Sequence, residues 1–229
     1  MPAVPGGKAI MDIWLGYLRL ILDGALITVQ LTIYGCAFAL VMAFLAGLGR
    51  TSTIAPVKWM SVAYIEFFRG TSIFVQLFWA YYVLPLMGLE LSPMQAGVLA
   101  LGLNVGAYGA EVVRSAVQAI GREQREACVA LNLTRTQSLR HVILPQAVVV
   151  MLPTFGNNAI ELLKATAIVS LVSLADMTFQ AQVVRSQTGS TAFPFLTILV
   201  LYFMMSGVIT LLVRALERRM SRGFEGTRA

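Results

Sequence analysis

Apolar positions along this chain run in long unbroken blocks rather than in the interrupted pattern of a soluble amphipathic helix. A helix needs about 20 apolar residues to cross a bilayer core, and five blocks reach that length: residues 24–48, 57–87, 94–119, 142–163 and 195–213. The second is long for a single span and is interrupted by Glu66, Arg69 and Gly70. Residues 170–190 are apolar but studded with polar side chains, which predicts a re-entrant or interfacial helix rather than a sixth span. The expected fold is all-α: a polytopic membrane protein of five transmembrane helices forming one transmembrane domain over residues 21–218. Residues 1–20 form an external tail and the approach to the first helix, with PAVPGG as a loose start, and 219–229 form a tail.

Composition agrees with the pattern. Of 229 residues, 58% are hydrophobic and only 12% charged, about half the charged share of a soluble domain. A net charge of +6 would suit a nucleic-acid binder, but the basic residues sit in short loops between apolar blocks, so no nucleic-acid partner is expected. Arg50 and Lys58 follow the first block; Arg122, Arg125, Arg135 and Arg140 follow the third; Arg214, Arg218, Arg219, Arg222 and Arg228 follow the fifth. These eleven of the seventeen Lys and Arg share one side, which is therefore the cytoplasm, with the N-terminus outside and the C-terminus inside. Cys36 lies inside the first block and Cys128 in a basic loop, so no disulfide framework is expected. The first eleven residues lack the features of a cleavable signal peptide.

Three acid–base pairs stand in or beside the apolar blocks: Glu66 with Arg69, Glu111 with Arg114, and Glu161 with Lys164. Each places an acid three residues before a base, on one helix face. They serve either as interface anchors with snorkelling basic ends or as groups that rearrange along a pathway. Pro145 and Pro153 weaken the fourth block's hydrogen-bond ladder. Asn157, Asn158 and Glu161 lie near one face beyond them, as pathway lining or as interhelical hydrogen-bonding groups. Gly102, Gly106, Gly109 and Ala110 form a small-residue stripe suited to close helix packing. Phe74, Phe78, Trp79, Tyr81 and Tyr82 form a belt or core, or a cage for a cationic group. One histidine, His141, and no His/Cys cluster leave no catalytic or metal site to propose.

The polar loop at residues 126–145, EACVALNLTRTQSLRHVILP, is the most distinctive stretch. Ala127, Ala130, Leu131 and Leu139 fall near helical spacing, either as a solvated connector or as a docking helix. The spacing Glu126-Ala127-Cys128, Asn132, then Val142-Ile143-Leu144-Pro145 resembles the EAA motif of binding-protein-dependent ABC transporter permeases. Cys128 stands for Ala, Asn132 for Gly and Val142 for Ile; Asn tolerates the left-handed backbone that Gly supplies. The resemblance implies a type I ABC importer permease in a bacterial inner membrane, whose cytoplasmic coupling helix seats in the ATPase subunit. It assigns ATPase docking to Glu123, Arg125, Glu126, Ala127, Cys128, Leu131 and Asn132.

Further strings resemble polar amino-acid (histidine/glutamine-type) permeases. Glu66 to Ser72 resembles E-x-x-RGTP, with Ser72 replacing a helix-starting proline and leaving the kink there open. Residues 107–114 resemble AY-x-AE-x-x-R, which adds Tyr108, and Leu163-Lys164-Ala165-Thr166-Ala167 resembles LLK-x-TS. Residues 75–88, 99–114 and 160–179 look most like ectoine/hydroxyectoine permeases, so ectoine is the favoured solute and a polar amino acid the alternative. A secondary carrier or channel would explain the embedded charges but not the docking loop. The chain carries no Gly-x-x-x-x-Gly-Lys-Ser/Thr loop, so it binds no cofactor. ATP and Mg belong to a partner ATPase, with a second permease subunit, a periplasmic or lipid-anchored binding protein and membrane lipids as the other partners.

Overall fold

A computed structural model of the chain describes the backbone of residues 7–221 and the side chains of residues 14–220. The described residues form eight helices and no strand: α1 (Gly7–Arg50), α2 (Ala55–Gly70), α3 (Ile73–Met87), α4 (Pro93–Ala119), α5 (Arg122–Ala130), α6 (Arg135–Val172), α7 (Met177–Thr188) and α8 (Ala192–Ser221). Four of them, α1, α4, α6 and α8, are long and apolar enough to cross a membrane, and the bent pair α2–α3 makes a fifth if taken as one span. The expected count is met. Residues 1–6 and the tail beyond 221, with Arg222 and Arg228, lie outside the described residues.

The boundaries moved. The first apolar block begins at residue 24, yet α1 is helical from Gly7. Arg19 and Asp23 hide the continuation in sequence, but both are exposed, while Ile21 and Gly24 of the same turns are buried. A β-carbon on Gly24 would lie 2.8 Å from the Asp176 carbonyl oxygen, so this part of α1 lies directly against the start of α7. The fourth block likewise lengthens from 142–163 to the 38 residues of α6.

Two prolines explain irregular turns. In α3 the N–H of Leu84 reaches back five residues to the Trp79 carbonyl, and in α6 that of Leu144 reaches Leu139. Each wide turn directly precedes a proline, Pro85 or Pro145, which has no N–H to continue the regular ladder.

The bundle centre is the α1–α4 pair. A β-carbon on Gly102 would come within 2.5 Å of Phe38, and one on Gly109 within 2.8 Å of the Ala43 β-carbon. The small-residue stripe is thus a close-packing seam, as expected. Leu31, Leu101, Leu162 and Val169 fill the core beside it. Leu199, Phe203, Leu211 and Leu212 of α8 are exposed, which suits lipid contact.

Asp176 fixes the α6–α7 corner. Its carboxylate accepts from the Phe179 N–H (2.9 Å) and the Thr178 N–H (3.2 Å), capping α7. Met177 N–H donates to the Thr28 hydroxyl of α1 at 3.2 Å, tying the corner to the bundle. Complete burial raises the Asp176 carboxyl from 3.8 to about 6, against the lowering effect of its hydrogen bonds. Because the folded value exceeds the unfolded one, ionisation costs stability as pH rises from about 4 to 6, on the order of 2–3 kcal/mol at neutral pH. Asp176→Asn keeps a cap and removes the titration. The wild type should therefore lose several degrees of melting temperature relative to the variant between pH 5 and 7.5. Parallel pH profiles would show that Asp176 carries no such cost.

Candidate functional site

The second block breaks at Gly70. Thr71 and Ser72 are extended, and α2 and α3 meet at 105°. Replacement of the expected proline by Ser72 has not removed the kink. A helix that ends within the bundle leaves its last carbonyls without intrahelical donors. Two buried amides supply them. Gln76 Nε2 donates to the Phe68 carbonyl (3.0 Å) and the Thr71 hydroxyl (2.7 Å), and Asn104 Nδ2 donates to Phe68 (2.8 Å) and to Gln76 Oε1 (3.2 Å). Neither residue was singled out from sequence. The available signal was a lone amide inside an apolar block, which is costly in a membrane unless partnered.

Asn104 also borders a cleft of about 360 Å³ between α3, α4 and α6, lined by Ile73, Asn104, Tyr108, Asn158, Glu161 and Ala165 among others. Asn158 Nδ2 is buried there without a hydrogen-bond partner, alone in this among the buried side-chain nitrogen and oxygen atoms of the described residues. An unpaired buried donor costs about 1–3 kcal/mol. Asn158 is joined by Glu161, one turn on. Asn157 is not: it is exposed and outside the cleft. Lys164 Nζ lies 2.9 Å from Glu161 Oε1 at the surface. Arg69 sits over the Tyr108 ring, 5.3 Å from its centroid. Asn158, a carboxylate from Glu161 and the Tyr108 side chain thus line one small volume.

Two of the three acid–base pairs close as spaced. Glu111 Oε2 accepts from Arg114 Nε at 2.9 Å, and Glu161 pairs with Lys164. Glu66 and Arg69 do not pair. Arg69 turns to Tyr108, while Glu66 lies 4.0 Å from Arg50, which itself bonds Glu111. Arg50 ends α1, and the packing of α1 against α4 and α2 brings its guanidinium to both carboxylates, which local spacing cannot show. The result is a charge network, Arg50–Glu66–Glu111–Arg114, that joins three helices at one end of the bundle. The aromatic residues of α3 make a ladder rather than a cage: Phe74 stacks on Phe78 at 4.6 Å, and Phe78 meets Tyr82 at 5.4 Å.

Beyond α4 the basic loop forms α5. Its end is a Schellman turn, with Leu133 N–H on the Cys128 carbonyl (3.0 Å) and Asn132 N–H on the Val129 carbonyl (2.9 Å). Asn132 has φ of 54°, the left-handed geometry expected of the residue standing where the motif has Gly. Glu123, Glu126, Ala127 and Leu131 are exposed. Cys128 is not: only 3% exposed, it turns inward and leaves the proposed docking face. Arg125 is exposed but directs Nη2 to the Val117 carbonyl at 2.8 Å. Val129, which the spacing argument missed, is 75% exposed beside Leu131 at 72%. The two form an exposed apolar pair on a polar helix outside the apolar blocks. His141 makes a local contact from Nδ1 to the Gln137 carbonyl at 3.1 Å.

A family model described as binding-protein-dependent transport system inner membrane component matches residues 35–222. A probable amino-acid ABC transporter permease protein of Sinorhizobium fredii, y4tF, is 44% identical over 94% of this chain and 93% of its own length. The glutamine transport system permease protein GlnP of Escherichia coli is 36% identical over 88% and 93%, and the L-cystine transport system permease protein TcyB of Bacillus subtilis is 31% identical over 96% and 93%. In three dimensions, a crystal structure of an amino acid ABC transporter with histidines superposes with a TM-score of 0.83 at 34% identity, covering 95% of this chain and all of that one. The MetNI methionine ABC transporter, at 22% identity and a TM-score of 0.75 over 88% of this chain and 96% of its own, shares the fold.

Proposed function

This chain belongs to the family of binding-protein-dependent transport system inner membrane components, and from that premise we propose that it forms the translocation pathway of an ATP-driven importer for a small amino acid. The relatives named above are amino-acid permeases. The ectoine preference expected from the sequence finds no support in them, and the amino-acid alternative fits better. The observation that carries the solute assignment is the cleft at the α2–α3 break. The unpartnered Asn158 amide meets a solute carboxylate, Glu161 meets its ammonium, and Tyr108 with Arg69 closes one side. Such a pairing of opposite charges suits a zwitterion.

In this reading ATP and Mg act on the partner ATPase, which α5 engages through Glu123, Glu126, Ala127, Val129 and Leu131. A second permease subunit completes the pathway, and an extracytoplasmic binding protein delivers the solute. Positive-inside loops support a cytoplasmic α5 and an external N-terminus. Closure of the ATPase pair moves α5, and the network around Arg50 exchanges partners as the pathway changes its open side. The test is ATPase activity of the reconstituted complex with its binding protein. Glutamine, cystine, arginine and the other polar amino acids are compared with ectoine. Stimulation of about tenfold or more by one amino acid and none by ectoine is the expected result. Stimulation by ectoine alone would restore the compatible-solute reading. No dependence on any of them would remove the proposed solute class.

A further inference from the structure

The proposed docking face of α5 continues into a second cleft, of about 680 Å³, between the ends of α1 and α4, α5 and the start of α6. Val129, exposed on that face, is also one of the cleft's lining residues. The other exposed members of the lining are all polar: Thr53, Gln118, Arg125, Arg135 and Thr136. Arg50 also lines it but is committed to Glu111 and Glu66. No Asp or Glu lines the cleft, and neither Arg125 nor Arg135 has a carboxylate within 4.0 Å among the described residues. Each is held instead by one backbone carbonyl, Arg125 by Val117 at 2.8 Å and Arg135 by Thr51 at 3.3 Å. A guanidinium has five N–H donors, so each keeps most of them for another acceptor. The Thr51 contact also ties the start of α6 to the corner between α1 and α2, which holds Arg135 at the cleft.

We propose that this cleft receives an acidic segment of the partner ATPase, with Arg125 and Arg135 each taking a separate carboxylate. The proposal deepens the docking reading and rests on it: a partner seated on Val129 and Leu131 stands at the mouth of the cleft. Charge sets the chemistry of the occupant. Two guanidinium groups without a carboxylate partner favour an acid, which each can bind through forked N–H bonds. Size argues for a segment, because a lone carboxylate would leave most of about 680 Å³ unfilled. Glu123 and Glu126 belong to α5 but do not line the cleft, so the incoming acid meets no like charge there. The interface then has two parts of different character. Val129 and Leu131 contribute apolar burial, and the cleft contributes ion pairs that select the partner and respond to salt.

The test is retention of the ATPase subunit on tagged permease in detergent, across a range of sodium chloride concentrations, in R135Q and R135K. The Gln amide can still donate to the Thr51 carbonyl, so R135Q removes the charge rather than the corner contact. It should weaken retention about tenfold at low salt, the worth of one charge-assisted hydrogen bond, and flatten the salt dependence. R135K should keep most of both. Carbodiimide treatment of the R135K complex gives a second reading. The reagent joins the introduced amine to a carboxylate in contact with it, with loss of water, and the expected product links position 135 to an Asp or Glu of the ATPase. Wild-type retention and salt dependence in R135Q overturn the proposal. An R135K amine that couples only within the permease, or to nothing, also overturns it. Leu131 does not line the cleft, so Leu131→Asp separates the two readings. Release by Leu131→Asp with wild-type retention by R135Q removes this proposal alone and leaves α5 docking in place. Full retention by Leu131→Asp overturns the docking reading, and this proposal with it.

Discussion

Asn158→Leu should give a permease that is more stable than the wild type and poor at transport. The two effects have one cause. Asn158 Nδ2 is buried without a partner, and a buried donor left unmade costs about 1–3 kcal/mol. Leucine, of similar size, removes that cost, so thermal unfolding of the complex should shift upward by a few degrees. The same change removes the N–H proposed to meet the solute carboxylate. A hydrogen bond to a charged group contributes about 1.5–3 kcal/mol, so half-maximal solute concentration should rise roughly 10- to 100-fold. Basal ATPase activity, measured without solute, should stay near wild type. A purely structural Asn158 predicts the opposite pattern: destabilisation with little change in apparent solute affinity. Glu161→Gln is the companion measurement and should shift apparent affinity without a stability gain, since Glu161 is solvated and paired with Lys164.

The sequence made the fold readable because a bilayer imposes a length on its helices that composition alone reports. The third block, 94–119, coincides with α4 almost to the residue, helped by Ser92, whose hydroxyl and Gln95 form a capping box at its start. Prediction failed where tertiary contact overrides the local pattern. Residues 14–23 of α1 carry Arg19 and Asp23 yet continue the helix, because their other face lies on α7 and α8. The left-handed Asn132 was legible from one substitution in a motif, since few residues adopt that backbone without strain. The Arg50 network was not. Its partners are 16 and 61 positions away in the chain, Glu66 and Glu111, and only helix packing joins them. Gln76 and Asn104 showed in sequence only as lone amides in apolar blocks; their role, in the carbonyls of the α2–α3 break, depends on a sharpness no local rule gave. Of the pathway candidates, helical spacing placed Asn158 and Glu161 together, and both line one cleft. Asn157 satisfied the same rule and points elsewhere, because four-residue spacing fixes a face only to within the width of a helix.

Leu131→Asp should release the ATPase subunit while leaving the permease folded and inserted. Leu131 is 72% exposed and Val129 75% exposed at the end of α5, so neither contributes to the core and a charge at 131 has water to meet in the free subunit. In the complex it would have to be desolvated against an apolar surface without a partner. Losses of 2 kcal/mol or more are typical for the few central residues of an interface, enough to reduce ATPase retention at least about 30-fold. Glu126→Lys reverses an exposed charge on the same helix and should give a similar loss. Asn132→Gly is the control. Glycine adopts the left-handed backbone freely, so the Schellman turn and the helix end survive, and co-purification with the ATPase should match wild type. Asn132→Val, a β-branched residue that resists φ of 54°, should weaken docking although it touches no partner itself, by loosening the turn that places Leu131. The measurement is the amount of ATPase subunit retained on the tagged permease. If Leu131→Asp holds its partner as well as the wild type, α5 is a solvated connector and the apolar pair at its end has another purpose. If Asn132→Gly loses the partner, the amide side chain contributes a contact of its own and turn geometry alone does not account for docking.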